Sequence, residues 1–171
     1  RFQTGLLLRA VRNSLIVASS ATFIATLAAI MAALCMTRER FRRQQAVNAV
    51  IALPLIVPEI VTAVATLLFF VIIGIRLGLL TVIIAHTVFC IPFAYLPIRA
   101  RLQGMDPRLE EAASDLYADP WRTFRRITLP LLWPGILSGA MLAFIISLDT
   151  FVITYFVAGA GATTLPVYIF G

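Results

Sequence analysis

The stretch DPRLEEAASDLYADPWRTFRRITLP, residues 106–130, is the longest polar segment in a chain that is otherwise nearly continuous hydrocarbon. Two Asp-Pro pairs, Asp106-Pro107 and Asp119-Pro120, each put a carboxylate acceptor ahead of a proline, which is how many helices start. The expected product is a helix, a turn near Tyr117-Ala118, and a second short helix running toward Pro130. Long apolar runs flank this hairpin on both sides. It is therefore expected as a compact knob at a membrane surface, where a soluble partner can push on it.

Working outward, composition fixes the class. Hydrophobic residues make up 61% of the 171 and charged residues 13%, and the mean hydropathy is +0.97. A soluble domain is excluded, and an all-α, polytopic transmembrane helical bundle is expected. All fourteen basic residues are arginine, and the formal charge is +6. In a soluble protein that balance would suggest nucleic acid. In a membrane protein it points to arginine-rich cytoplasmic loops instead, so no nucleic-acid partner is expected. Cys35 and Cys90 fall inside apolar runs without metal-ligand spacing and read as small core residues. The chain starts at Arg1 and stops inside a new apolar stretch, so it is expected to be an internal fragment of a longer protein.

One transmembrane domain is expected over 1–171, with spans at about 14–36, 46–75, 79–98 and 129–158 and the polar hairpin at 99–128. Residues 1–13 are too short and too charged to span on their own. Ala25, Ala29 and Ala33 recur every fourth position on the first span, and Gly135 and Gly139 do so on the fourth; small residues at this spacing let helices approach closely. Pro54, Pro58 and Glu59 interrupt the second span, which is expected to kink or tilt. Ten of the arginines lie in the loops after the first and third spans, among them Arg38, Arg40, Arg42 and Arg43. Four, Arg1, Arg9, Arg12 and Arg76, lie on the other side. The positive-inside rule then puts the hairpin in the cytoplasm.

The segment Glu111-Ala112-Ala113, with Ile127, Leu129 and Pro130 following at fixed spacing, resembles the EAA loop of binding-protein-dependent ABC importer permeases. Tyr117 stands where that pattern has a glycine, a residue at ease with positive φ. PLIVPE and SLDTFVITYFVAGAGATTLPVYIFG resemble permeases of the spermidine/putrescine group. Polyamine relatives often carry two consecutive acids where this chain has Asp149-Thr150. The resemblance implies a type I ABC importer permease in the bacterial inner membrane, without catalytic activity of its own. It implies a cytoplasmic ABC ATPase dimer that docks on Glu111, Ala112, Ala113, Asp119 and Arg122, and that holds the ATP and magnesium. It further implies a second permease subunit, expected to form a heterodimer, and a periplasmic solute-binding protein.

Three ionisable residues interrupt the spans: Glu59, His86 and Asp149. A charge in hydrocarbon must face a polar cavity, pair or be neutral. Glu59 and Asp149 can line a substrate pathway that attracts a cation, with Phe151 and Tyr155 adding cation–π contacts. Glu59 can equally satisfy backbone donors freed at a kink. His86 reads as a hydrogen-bonded packing residue. No G-x-x-x-x-G-K-[ST] loop occurs, so the chain cannot bind ATP in the P-loop manner and ATP-driven transport would need an ATPase on another subunit, and no HExxH or Cys/His cluster indicates a metal. An intramembrane serine protease fails because Ser138-Gly139 lacks the elbow spacing. A channel or secondary transporter working without ATP remains the reading from another class, as does an importer of another solute such as iron, an opine, thiamine or sulfate.

Overall fold

The computed structural model describes residues 2–38 and 42–170. All regular structure among them is helical, as it must be where no water satisfies the backbone. Three long helices form the body: α1 (Phe2–Arg38), α4 (Leu79–Gln103) and α7 (Leu129–Asp149). α1 extends through the N-terminal segment that the sequence reading set apart, with Arg9 and Arg12 exposed on it. No proline interrupts residues 2–13, and arginine and leucine are good helix formers. Arg1 and Arg40, counted above for orientation, lie outside the described residues.

The small residues are what let the three helices meet. Ala25, Ala29 and Ala33 of α1 are fully buried and share a core with Cys90, Ala94, Tyr95 and Ile98 of α4 and Leu132, Ile136 and Ala143 of α7. A Cβ on Gly139 would stand 2.6 Å from the carbonyl oxygen of Ala94, and one on Gly135 would stand 2.6 Å from Arg101 Cβ. Only glycine permits that approach of α7 to α4. Cys90 belongs to this core, its thiol 3.5 Å from the carbonyl oxygen of Ala143. Cys35, read from sequence as a core residue, is exposed on α1 instead. It sits two positions beyond Ala33, so it turns away from the alanine stripe.

The second hydrophobic run breaks more sharply than a kink or tilt. It forms α2 (Gln44–Ile56) and α3 (Glu59–Ile72), bent by 109° at Val57-Pro58. Val57 is extended, with ψ 133, as a residue ahead of proline prefers. The fourth run also stops short. α7 ends at Asp149, Thr150 opens to ψ 108, and a separate short helix α8 (Val152–Val157) follows. The Thr150 hydroxyl donates to the carbonyl oxygen of Ile146 at 2.7 Å, competing with helix continuation at that point. Among the described residues, three helices can cross a membrane by length and composition, or four if the bent pair counts as one.

The end of the bundle opposite the hairpin is closed by polar ties. The Thr81 hydroxyl, at the start of α4, lies 2.9 Å from the carbonyl oxygen of Val157. Asn13 on α1 donates to the carbonyl oxygens of Gly161 and Thr163, and Ser14 accepts the N–H of Leu165 at the start of α9 (Leu165–Phe170). A Cβ on Gly159 would stand 1.9 Å from the Leu77 carbonyl oxygen, so the chain crosses itself there backbone to backbone.

Candidate functional site

Two groups of polar residues sit at opposite ends of α7. At its start is the hairpin, made of α5 (Arg108–Asp115), α6 (Pro120–Thr123) and a π-helical turn (Phe124–Thr128) that runs directly into α7. The Asp119-Pro120 start folds as the sequence indicates, whereas α5 begins one residue later than expected, with Pro107 at its N-cap. Asp119 Oδ1 accepts the N–H of Arg122 at 2.8 Å, and Asp106 Oδ1 accepts that of Arg108 at 3.0 Å. Between the helices Tyr117 takes φ 59. The left-handed turn that glycine would favour is therefore made by a tyrosine, against a steric cost of about 1–2 kcal/mol.

The hairpin is tied to the bundle rather than hung from it. The Thr128 hydroxyl donates to Glu110, joining α5 to the foot of α7, and Arg101 Nε on α4 donates to the Leu131 carbonyl oxygen at 2.8 Å. Of the residues singled out from sequence here, Glu111, Ala112, Asp119 and Arg122 are exposed. Ala113 is not: it is 7% exposed, and its carbonyl accepts the Ala118 N–H, so it holds the turn from inside. Arg122 pairs with Asp119 at 3.5 Å. Sequence reasoning missed Leu116 and Tyr117, which stand 82% and 97% exposed at the tip. With Leu109 and Ala112 they border a groove of about 570 Å³. An apolar pair inside the most polar stretch of the chain was the available signal.

At the far end of α7 the sequence placed Glu59, His86 and Asp149 on three separate spans, and the structure gathers them around the α7–α8 break. His86 is buried, with Nδ1 2.9 Å from Ser147 Oγ on α7 and Nε2 2.7 Å from Thr154 Oγ1 on α8. It clamps the two helices on either side of Thr150. Since each hydroxyl can donate or accept, either imidazole tautomer is satisfied. Glu59 is the first residue of α3, not a mid-span residue, because the helix restarts after Pro58. Its carboxylate faces the backbone N–H groups of Val152 and Ile153, within electrostatic range of Asp149. One carboxylate oxygen of Glu59 is buried without a hydrogen-bond partner. Asp149 is exposed, whereas Thr150 is buried and bonded back to its own helix. Beside them the Phe151 and Tyr155 rings lie 5.6 Å apart, and Phe170 meets Phe151 edge-on at 6.1 Å. Two carboxylates next to aromatic rings suit a cation that sheds water. Among the described residues no group of three or more His, Cys, Asp or Glu side chains is placed to hold a metal ion.

The family described as binding-protein-dependent transport system inner membrane component matches residues 25–170. The spermidine/putrescine transport system permease protein PotC of Haemophilus influenzae is 39% identical over 169 residues, covering 99% of this chain and 66% of that protein. The putrescine transport system permease protein PotI of Escherichia coli K12 is 40% identical over 171 residues, covering 96% of this chain and 61% of that protein. The chain thus spans somewhat under two thirds of the length of these relatives. Among solved structures, a chain of the MetNI methionine ABC transporter in inward-facing form superposes with TM-score 0.72 at 23% identity, covering 85% of this chain and 71% of that one. That likeness carries the fold.

Proposed function

The chain belongs to the family of binding-protein-dependent transport system inner membrane components, and from that premise we propose that it is the permease subunit of an ATP-driven importer of polyamines such as spermidine or putrescine. The observation that carries this is the continuity of one lever. α7 begins at a hairpin whose tip is exposed and ends beside two carboxylates. An ABC ATPase dimer in the cytoplasm, holding ATP and magnesium, docks on the face formed by Glu111, Ala112, Leu116 and Tyr117, with Asp119 and Arg122 at its rim. Ala113 supports that face from within. The chain itself performs no chemistry.

When the ATPases close, the hairpin is displaced. The Glu110–Thr128 bond passes that displacement into the foot of α7, whose 21 residues reach about 30 Å to Asp149. There the His86 clamp holds α7 and α8 together across their break, so movement of α7 alters the surroundings of Asp149 and Glu59. A periplasmic solute-binding protein delivers the cargo to a cavity shared with a second permease subunit. A polyamine ammonium group exchanges its hydration for the Asp149 carboxylate, with Glu59 behind it and Phe151 and Tyr155 beside it. Glu59 combines the two roles open to it, since the backbone donors it faces belong to the α7–α8 break. The identity to polyamine permeases favours this cargo over iron, an opine, thiamine or sulfate.

The test is ATP hydrolysis and labelled spermidine uptake by the full complex in lipid vesicles with its binding protein. Polyamine should stimulate hydrolysis, Glu111→Arg should abolish both readouts, and Asp149→Asn should weaken uptake by tenfold or more, about the effect of one lost charge contact. Stimulation by another solute would discard the cargo and keep the importer. Uptake without any associated ATPase would sink the importer itself.

A further inference from the structure

The hairpin divides its charge. Asp106, Glu110, Glu111 and Asp115 lie on or beside α5, with Arg108 the one base there, whereas Arg122, Arg125 and Arg126 crowd the α6 and π-turn segment. The α5 side serves the docking face already described, and on the basic side Arg122 and Arg126 border its groove while Arg125 does not. Arg122 is occupied by Asp119. Arg125 and Arg126 are exposed and make no ion pair among the described residues. Together with Trp121 and Arg122 they line a second pocket of about 490 Å³, which adjoins the docking groove at Arg122 and Arg126. Trp121 is 66% exposed and stacks on Phe124 at 5.8 Å, which fixes its ring beside the guanidinium groups.

Position identifies the partner. From Leu129 to Asp149 the helix carries no basic residue and only the terminal acid, and its length of about 30 Å matches the hydrocarbon core. Arg126 and Arg125 precede Leu129 by three and four residues, so they stand about 5–6 Å outside that core, at headgroup depth. Interfacial arginines attract anionic lipid, and the exposed indole of Trp121, farther from the core, lines the same pocket. We propose that Trp121, Arg125 and Arg126 form a binding site for the phosphate headgroup of an anionic phospholipid. A lipid bound there braces the π turn against the membrane while α5 is pushed from the other side.

The experiment uses the full complex in nanodiscs containing photoreactive phosphatidylglycerol or photoreactive phosphatidylcholine at equal mole fraction, with labelled peptides mapped by mass spectrometry. Segment 120–129 should take the anionic label on the order of tenfold more, given the usual attraction per interfacial arginine. Arg125→Gln with Arg126→Gln should bring the ratio to about one, while Arg125→Lys with Arg126→Lys should largely keep it. Labelling of the 74–78 segment, in monodisperse protein, checks that each variant is folded. Equal labelling by both lipids in the parent protein overturns the proposal, as does a preference that survives the double Gln change. Displacement by soluble glycerophosphate would make this a site for free phosphate. Labelling that appears only after the ATPase is stripped away would give the surface to the ATPase.

Discussion

Pro92 and Pro97 lie inside α4 and Pro134 inside α7, and both helices continue through them, whereas at Pro58 the chain bends by 109°. The covalent lesion is the same in each case: a missing N–H and a ring pressed on the preceding turn. The surroundings differ. α4 buries eleven residues and α7 six, and Gly135 and Gly139 bring their backbones together. α2 buries none. Its side-chain tie to α4 runs through Asn48, whose Oδ1 accepts from Tyr95 at 2.7 Å and from Arg99 at 3.1 Å. Neighbours that grip a helix on several sides hold it through a proline. α2, which lacks such neighbours, passes Pro54 near its end but stops two residues later, where Val57 takes the extended conformation that Pro58 favours.

The contrast can be broken most forcefully at the grip itself. Gly139→Val puts a branched side chain where even a Cβ stands 2.6 Å from the Ala94 carbonyl oxygen. The expected loss is about 3 kcal/mol or more, read as disappearance of the monodisperse peak in size-exclusion chromatography; a normally folded variant would refute the account of α7. His86→Leu comes next. It removes the imidazole from Ser147 and from Thr154, leaving Thr154 its bond to the Thr150 carbonyl oxygen, and should cost about 2 kcal/mol, visible as a lower Tm in detergent. Asn48→Ala tests the loose side. It should cost only about 1 kcal/mol yet broaden the spin-label distance distribution between α2 and α4. A sharp, unchanged distribution would mean that α2 is held by something other than this contact. The smallest effect belongs to the hairpin tip, outside both regions. Tyr117→Gly relieves a φ of 59 and should raise stability by about 0.5 kcal/mol, since glycine's own chain entropy cancels part of the gain. If Tyr117 also meets the ATPase, hydrolysis should fall while stability rises.

These contrasts show what the sequence could and could not say. The hairpin was legible because its signals are local: an Asp-Pro pair carries its own cap acceptor and its own φ. The alanine and glycine stripes were legible because helical periodicity places them on one face. The turn at Tyr117 was half legible, since a glycine-type position was recognised but not whether a tyrosine would obey it. The bend at Pro58 was not legible, because its angle depends on what packs around α2. The early end of α7 at Asp149 was missed for a related reason. Nothing in FIISLDTFVITYF breaks a helix on propensity grounds, and the break is held by the Thr150 hydroxyl and by a histidine more than sixty residues away along the chain. Gathering Glu59, His86 and Asp149 was likewise a tertiary fact, invisible while each sat alone in its own run.

The π-helical turn at Phe124–Thr128, closed by the Leu129 N–H on the Phe124 carbonyl oxygen, works as a phase setting between two rotors. Each residue added to or removed from a helix turns everything beyond it by about 100°. The wider turn takes up one extra residue without a gap in the hydrogen bonding, so the hairpin faces a direction that an uninterrupted α-helix of the same length would not give it. Losing a single residue between Phe124 and Thr128 would leave every docking side chain intact and aim them about a quarter turn away. If the hairpin docks as proposed, indels in this short segment are therefore expected to be more damaging than point changes at Phe124 or Ile127, which leave its aim unchanged.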